Sequence, residues 1–304
     1  MLWMLLACTD KTPEDTARQR PREREEDSAE PVGDDTAPPA DTSGGGDTDT
    51  ADPSGSPGST GGSGGATGLL DGDHTFEDQA GFWTLYVPDD VHDGPAGLAV
   101  LMHGDGGNHH EFTSELELRS WADDTHAMVL SLASPGPSRS GCWWTPRKHD
   151  RVDYVIDLLE THLFGAYDVD LERVHLGGIS GGAFWSMGVP MYRELPFEGG
   201  FVGACGGDVP RENSDTDWCV VDYFSDDDPL PVEDSWYDLA VGKRVIAATT
   251  SGDEWTGHVE AGLALWEQLG ADTQQLDMGT GGHCLFDTSA AIRDGLYWVE
   301  GRTP

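Results

Sequence analysis

One short stretch, residues 174–184, restricts the fold of this chain more than any other. It reads VHLGGISGGAF, an apolar run followed by a glycine-rich turn around one serine and then by the start of a helical pattern. Gly178, Ser180 and Gly182 form the pattern Gly-x-Ser-x-Gly, in which the serine is strained and side chains two residues away would collide. Between a strand and a helix, this pattern predicts a nucleophile elbow that exposes the Ser180 hydroxyl and turns the Gly181 amide toward a bound carbonyl.

Strand-like and helix-like segments alternate along the chain after about residue 82. Residues 98–102 are a continuous apolar run, as expected of a central strand covered on both faces, whereas residues 151–164 carry apolar side chains at helical spacing. Strands that alternate with helices build a mostly parallel, doubly wound sheet. The sequence therefore predicts an α/β fold with helices on both faces of the sheet, in one domain over residues 68–304.

A serine nucleophile needs a base, and on such a sheet the chain order is serine, then acid, then histidine. Two histidines, His258 and His283, follow Ser180, and His283 lies in a glycine-rich loop after the last predicted strand. Asp253 is the first carboxylate after the preceding strand-like run, and Glu254 is a competing acid one residue later. We therefore expect Ser180, His283 and Asp253 to form a triad in which the acid orients the imidazole.

The segment His-Gly-Asp-Gly-Gly at residues 103–107 directly follows a predicted central strand. A loop at this place supplies a backbone amide to an oxyanion hole, and its glycines allow the backbone to approach the substrate closely. The predicted donors are the amide of Asp105, or that of Gly104, together with the amide of Gly181. A metal site is the alternative, but its candidate ligands lack the His-Glu-x-x-His spacing, so we expect no metal; they are His103, Asp105, His109, His110 and Glu111.

Four segments together carry a family resemblance: residues 103–107, Cys142-Trp143-Trp144, residues 152–184 and Gly282-His283-Cys284. They resemble α/β-hydrolase esterases of the polyhydroxybutyrate depolymerase and feruloyl or acetylxylan esterase type. The resemblance implies the α/β-hydrolase fold and a secreted serine esterase without a cofactor, with the acid after the seventh strand. The elbow departs from its relatives at Gly181, where they often carry asparagine or a bulkier residue.

The sequence defines the type of reaction better than it defines the substrate. Trp143, Trp144 and Trp255 are candidates for the wall of an acyl or aromatic pocket, although tryptophans at loop ends equally often fill the core. We expect a small-molecule or polymer ester as substrate. Two rival interpretations are a serine peptidase on the same fold and a non-catalytic surface binding protein that has kept the fold. The sequence does not define the oligomeric state.

The first 67 residues have the composition of an exported and tethered protein. Residues 1–8 are similar to a lipoprotein signal, since they end in the lipobox-like run Leu-Leu-Ala-Cys with Cys8 as the lipidation site. They lack a basic n-region and a full-length apolar region, so the alternatives are a true start further upstream or a chance apolar N-terminus. Residues 9–67 are acidic, rich in glycine, serine, proline and threonine, and predict a disordered tether. We therefore expect an extracytoplasmic protein that contacts a membrane only through a lipid anchor.

Charge and cysteine count narrow the function further. The formal net charge of −39 excludes a general binder of nucleic-acid backbones, which such a surface would repel. Four cysteines follow Cys8, and this even number in an exported domain predicts two disulfides in one of three pairings. Cys205 with Cys219 is the most local pairing, and it would leave Cys142 with Cys284.

Overall fold

The computed structural model describes residues 72–77, 82–105, 111–135, 143, 148–191, 195–208 and 231–304. Several predictions concern residues outside this part of the chain. They are the signal over residues 1–8 with Cys8, the tether over residues 9–67, and Cys142, Trp144, Cys219, His109 and His110.

Within these residues, eight strands form one sheet in the order β1-β2-β4-β3-β5-β6-β7-β8. The first two strands run antiparallel to their neighbours, whereas the pairs from β4 through β3 to β8 are parallel. The predicted mostly parallel sheet is confirmed. The strands are β1 (Gly72–Glu77), β2 (Phe82–Val87), β3 (Ala96–Met102), β4 (Ala127–Leu132), β5 (Val169–Ile179), β6 (Phe201–Ala204), β7 (Arg244–Thr249) and β8 (Asp272–Asp277).

The helices of the described residues cover both faces of the sheet, as predicted. Leu98 and Val100 of β3 belong to one buried apolar cluster with α2, α3 and α5, and Ala99 and Leu101 belong to a second cluster with α1 and α6. This division follows from the alternation of side chains along a strand. The helices are α1 (Leu116–Thr125), α2 (Lys148–Leu158, continued by a π-helical turn over Leu159–Leu163), α3 (Gly181–Gly188), α4 (Asp234–Ala240), α5 (Thr256–Leu269) and α6 (Thr288–Val299).

Two elements have no counterpart in the sequence-based prediction. Strand β1 has the sequence GDHTFE, and as an antiparallel edge strand it needs few apolar residues. Phe76 packs β1 against the sheet, because its ring stacks on that of Trp83 with 3.9 Å between the centroids. Helix α4 is seven residues long and buries little beyond Trp236 and Ala240, so its pattern is too short to be recognised.

A buried ion pair joins the end of α6 to the middle of β5. Glu300 accepts hydrogen bonds from Arg173 at 2.7 and 3.0 Å, and His175 Nε2 lies 3.7 Å from the same carboxylate oxygen. Burial raises the pKa of Glu300, but the His175 ring and the Arg173 guanidinium outweigh burial and hold it below its usual value. Glu300 is therefore a charged partner whose pairing stabilises the folded state.

None of the helices in the described part of the chain is both long enough and apolar enough to cross a membrane.

Candidate active site

Ser180 lies on a sharp turn between β5 and α3. Its backbone has φ 49° and ψ −118°, a positive φ that an L-residue adopts only under strain. Two backbone hydrogen bonds hold the turn, since Ser180 N–H donates to Ala204 O of β6 and Phe184 N–H donates to Ser180 O, both at 2.9 Å. The elbow geometry expected from the glycine pattern is therefore present, and its position is set by the neighbouring strand.

The two glycines of the elbow pattern meet backbone that leaves no room for side chains. A Cβ on Gly178 would lie 2.5 Å from Met102 O at the end of β3, and a Cβ on Gly182 would overlap the same oxygen and that of His103. The close approach of the elbow to β3 thus explains both glycines. It also brings the loop that follows β3 beside Ser180.

The side chains of Ser180, His283 and Asp253 form a hydrogen-bonded series. Ser180 Oγ lies 2.9 Å from His283 Nε2, and His283 Nδ1 lies 2.9 Å from Asp253 Oδ2. The network requires Nδ1–H to donate to the carboxylate, which leaves Nε2 as the acceptor of the serine proton. Asp253 is buried, and its Oδ1 accepts the backbone N–H of Trp255 at 2.9 Å. Glu254, the competing acid, is exposed and lies outside this series.

His258, the other histidine after Ser180, lies in a different pair. Its Nδ1 is 3.2 Å from Asp208 Oδ2, and its ring lies beside that of Trp255 with 5.5 Å between centroids. His258 is carried by α5, whereas His283 is carried by the loop after β8. The loop histidine is thus the one that faces the elbow.

A disulfide between Cys205 and Cys284 joins the loop of His283 to the end of β6. The expected local pair, Cys205 with Cys219, is therefore wrong, and so is the pairing of Cys142 with Cys284. The physical reason is topological: parallel strands bring their carboxyl ends to one edge of the sheet, so residues 79 positions apart in sequence lie with their Cα atoms 5.3 Å apart. The bond holds the residue next to His283 against the strand that also positions Ser180.

The loops that carry Asp253 and His283 also contact each other directly. Thr250 Oγ1 donates to Gly281 O at 2.5 Å, and Ser251 N–H donates to Gly279 O at 2.8 Å. A Cβ on Gly252 would lie 2.5 Å from Gly281 O, so the two loops pack backbone to backbone. Asp253 and His283 are therefore held at a defined separation by their own loops.

The segment after β3 lies directly above the elbow. A Cβ on Gly104 would be 3.4 Å from the Cβ of Ser180, so the predicted donors Gly104 and Asp105 lie beside Ser180, as does Gly181 at the start of α3. His103 is buried, with Nε2 accepting from Ser134 N–H at 2.9 Å and Nδ1–H donating to Gly104 O at 2.7 Å. Because both ring nitrogens bond to backbone groups, His103 shapes this loop.

One cluster of potential metal ligands occurs among the described residues, namely Cys205, His283 and Cys284. Its two sulfurs are joined in the disulfide, and the ring nitrogens of its histidine bond to Ser180 and Asp253. The disulfide leaves no thiolate to coordinate a metal, so the two cysteines of this cluster form a covalent tether for the loop of His283.

The candidate pocket tryptophans have different environments. Trp143 is fully buried, with its ring 5.2 Å from that of Trp185, so it belongs to the core and cannot form a pocket wall. Trp143 therefore fits the alternative interpretation, in which a tryptophan at the end of a loop fills the core. Trp255 is only partly buried and contacts the ring of Phe184 edge-on at 6.4 Å. It follows Asp253 by two residues, and its role in a pocket wall stays a prediction.

Comparison with known proteins identifies the fold. No protein-family model and no curated protein matches the chain. Solved structures do match. A thermostable esterase has a TM-score of 0.51 and 15% sequence identity, and the match covers 76% of this chain and 63% of that chain. An S-formylglutathione hydrolase from Staphylococcus aureus has a TM-score of 0.51 and 14% identity, and the match covers 76% of this chain and 99% of that chain. A ferulic acid esterase is also similar (0.52, 10%, 76% and 96%). The chain thus spans less than two-thirds of the thermostable esterase and nearly all of the other two. Together with the eight-stranded sheet, these similarities show that the chain has the α/β-hydrolase fold.

Proposed function

We propose that this protein is an extracytoplasmic serine hydrolase that cleaves carboxylic esters through an acyl-enzyme. The observation that carries the proposal is the series from Ser180 Oγ through His283 to Asp253, with 2.9 Å at each step, on a turn of positive φ. A strained turn, an oriented imidazole and a buried carboxylate serve no evident packing purpose. Together they are the parts that nucleophilic catalysis by serine requires.

In the first half of the reaction, Ser180 Oγ attacks the ester carbonyl carbon while its proton moves to His283 Nε2. The imidazolium that forms donates its Nδ1–H to Asp253 Oδ2, and burial of this carboxylate strengthens the interaction. Collapse of the tetrahedral intermediate breaks the bond to the alcohol oxygen, which takes the proton from Nε2. In the second half, His283 activates a water that attacks the acyl-enzyme and returns Ser180 to its starting state.

The negative charge of the tetrahedral intermediate needs donors near Ser180. Gly181 is the first residue of α3, so its amide has no partner within the helix and lies at the positive end of the helix dipole. The amide of Asp105, or that of Gly104, approaches from the loop after β3. Loss of one such donor typically lowers the rate by about 10²–10³-fold.

Substrate class and location rest on further observations. Two of the similar structures are named as esterases, which supports an ester as the substrate, either a small molecule or a polymer. The lipobox-like run that ends in Cys8 and the acidic, glycine- and serine-rich composition of residues 9–67 support export and anchoring by a lipid. The disulfide Cys205–Cys284 supports an oxidising compartment, where such bonds persist.

The test is hydrolysis of p-nitrophenyl esters with short and long acyl chains by the wild-type protein, Ser180→Ala and His283→Ala. His258→Ala is the matched control, because it removes the other histidine after the elbow, which pairs with Asp208 and not with the serine. We expect activity and fluorophosphonate labelling in the wild type and the control, and loss of hydrolysis in the other two variants. A wild-type protein that neither hydrolyses any ester nor takes up the label would contradict the proposal.

The same assay separates the rival functions. A panel of peptide substrates run beside the esters distinguishes a serine peptidase, which would cleave peptides at least as fast as esters. A surface binding protein that kept the fold would bind ligands without hydrolysing either class. No contact in the described part of the chain favours these two over an esterase.

A further inference from the structure

The side chain of Asp105 contacts Gly181, a proposed oxyanion donor, and the backbone of Trp143. Its carboxyl group lies over Gly181, where a Cβ would overlap the carboxyl carbon and both oxygens. Asp105 Oδ1 also accepts the backbone N–H of Trp143 at 2.7 Å. One side chain thus joins the loop after β3, the first residue of α3 and Trp143.

The backbone of Asp105 is held from the opposite side by His103. The carbonyl of Gly104 and the N–H of Asp105 belong to one planar trans peptide group, in which the two bonds point in opposite directions. His103 Nδ1–H binds that carbonyl at 2.7 Å, so the same contact sets the direction of the Asp105 N–H. The Gly104 carbonyl is bound to His103 and the Asp105 side chain to Trp143. The peptide group between Gly104 and Asp105 therefore has little freedom to rotate.

Trp143 is itself a firm anchor for this side chain. It has no exposed surface, and its ring is 5.2 Å from that of Trp185 and 6.0 Å from that of His103, measured between centroids. A backbone N–H on a residue so firmly packed is a rigid donor. The hydrogen bond to Asp105 therefore ties the loop after β3 to the core.

We propose that Asp105 is a positioning residue whose side chain, packed on Gly181 and bonded to Trp143 N–H, sets the spacing of the two oxyanion-hole amides. The inference rests on the proposed function. It also explains the departure of the elbow from related sequences: position 181 is glycine because the Asp105 carboxyl group occupies the space that a side chain would take.

The shape of the Asp105 side chain and its acceptor oxygen position the two amides, whereas its negative charge does not favour the reaction. A carboxylate beside the point where an oxyanion forms repels that developing charge. Asparagine keeps the size and an acceptor oxygen for Trp143 N–H but removes the charge, whereas alanine removes the acceptor and the packing. Asp105→Asn should therefore retain the kcat of the wild type or exceed it, and Asp105→Ala should not.

The kinetic test compares Asp105→Ala, Asp105→Asn, Gly181→Ala and the double variant D105A/G181A on one p-nitrophenyl ester. We expect D105A to lower kcat by up to about 10²–10³-fold, the value of one oxyanion donor, with a much smaller change in KM. G181A displaces the carboxyl group and should lose a similar factor. The double variant should lose no more than the worse single variant, because both changes break the same contact. Gly257→Ala, at an exposed helical glycine with open space around it, is the control and should match the wild type.

Three results would overturn the inference: wild-type kcat in D105A, equal losses in D105N and D105A, or losses in D105A and G181A that multiply in the double variant. Melting temperatures of the same variants test the packing without any activity. If G181A lowers the melting temperature of the wild type but not that of D105A, the packing of Asp105 on Gly181 is supported. If the two changes lower the melting temperature additively, this packing is contradicted. If the wild type neither hydrolyses esters nor takes up fluorophosphonate, the proposed function fails while the melting temperatures still decide the packing.

Discussion

Removal of the Cys205–Cys284 bond tests the link between the sheet and the base loop. The bond closes a loop over a sequence separation of 79 residues. With the chain-entropy relation for a cross-link, such a loop restricts the unfolded chain by about 4.5 kcal/mol at 25 °C. We therefore expect Cys205→Ala/Cys284→Ala to lower the free energy of unfolding by about 4–5 kcal/mol.

The same variant should also slow hydrolysis, because Cys284 is adjacent to His283. The hydrogen bonds from Thr250 and Ser251 to the base loop remain, so the loop keeps part of its position. We expect a loss of kcat smaller than that in His283→Ala, since the imidazole is still present and only its placement is less restricted.

The assay is equilibrium unfolding in urea, without reductant, of the wild type, both single variants and the double variant. Each single replacement breaks the same bond, so the three variants should lose similar free energies. Peptide mapping without reduction should recover Cys205 linked to Cys284. Linkage of Cys205 to Cys219, additive losses in the single variants, or a double variant within about 1 kcal/mol of the wild type would refute the reasoning.

Three further predictions concern individual side chains. Asp253→Asn should lower kcat by about 10⁴-fold, as expected when the imidazole loses its orienting acid, whereas Glu254→Gln should leave it unchanged; wild-type kcat in D253N would exclude Asp253 as the acid. Glu300→Gln should lower stability near neutral pH by about 1–3 kcal/mol. Because the pKa of Glu300 lies below its usual value of 4.5, the wild type should lose this advantage as pH falls below that value, which unfolding curves at several pH values will show. Burial and a hydrogen bond to an aspartate raise the pKa of Tyr86 and of Tyr297 from 10.0 to about 12. Their contribution to the free energy of unfolding is therefore complete below pH 10.0 and is lost as the pH rises to about 12. Tyr86→Phe/Tyr297→Phe should show a smaller decline over this interval, and an unchanged decline would contradict the assignment.

Local features of the chain were sufficient to predict the parts of the site that depend on neighbouring residues. The elbow around Ser180 is a strand, a tight turn and a helix in direct succession, so its glycines and apolar residues occur in one stretch. The loop of Asp253 follows the apolar strand β7, and the glycine-rich loop of His283 follows β8. Because parallel strands end at one edge, chain order alone indicated that these three side chains lie near one another.

Features that join distant parts of the chain were beyond this reasoning. Nothing near Cys205 indicates that its partner is Cys284, because sequence proximity favours a closer cysteine. Trp143 could not be assigned to core or pocket without its contacts with the rings of Trp185 and His103. Strand β1 could not be recognised either, since its place at the sheet edge depends on pairing with β2.

The α/β class, the elbow, and the residues proposed as nucleophile, base and acid follow from the order of the amino acids, because backbone conformation and apolar periodicity are set by residues a few positions apart. The disulfide, the burial of Trp143 and the contact of Asp105 with Gly181 are defined only by the packing of the folded domain. Each of these depends on which loops meet at the carboxyl edge of the sheet, and that is settled only when the strands have paired and the helices have packed.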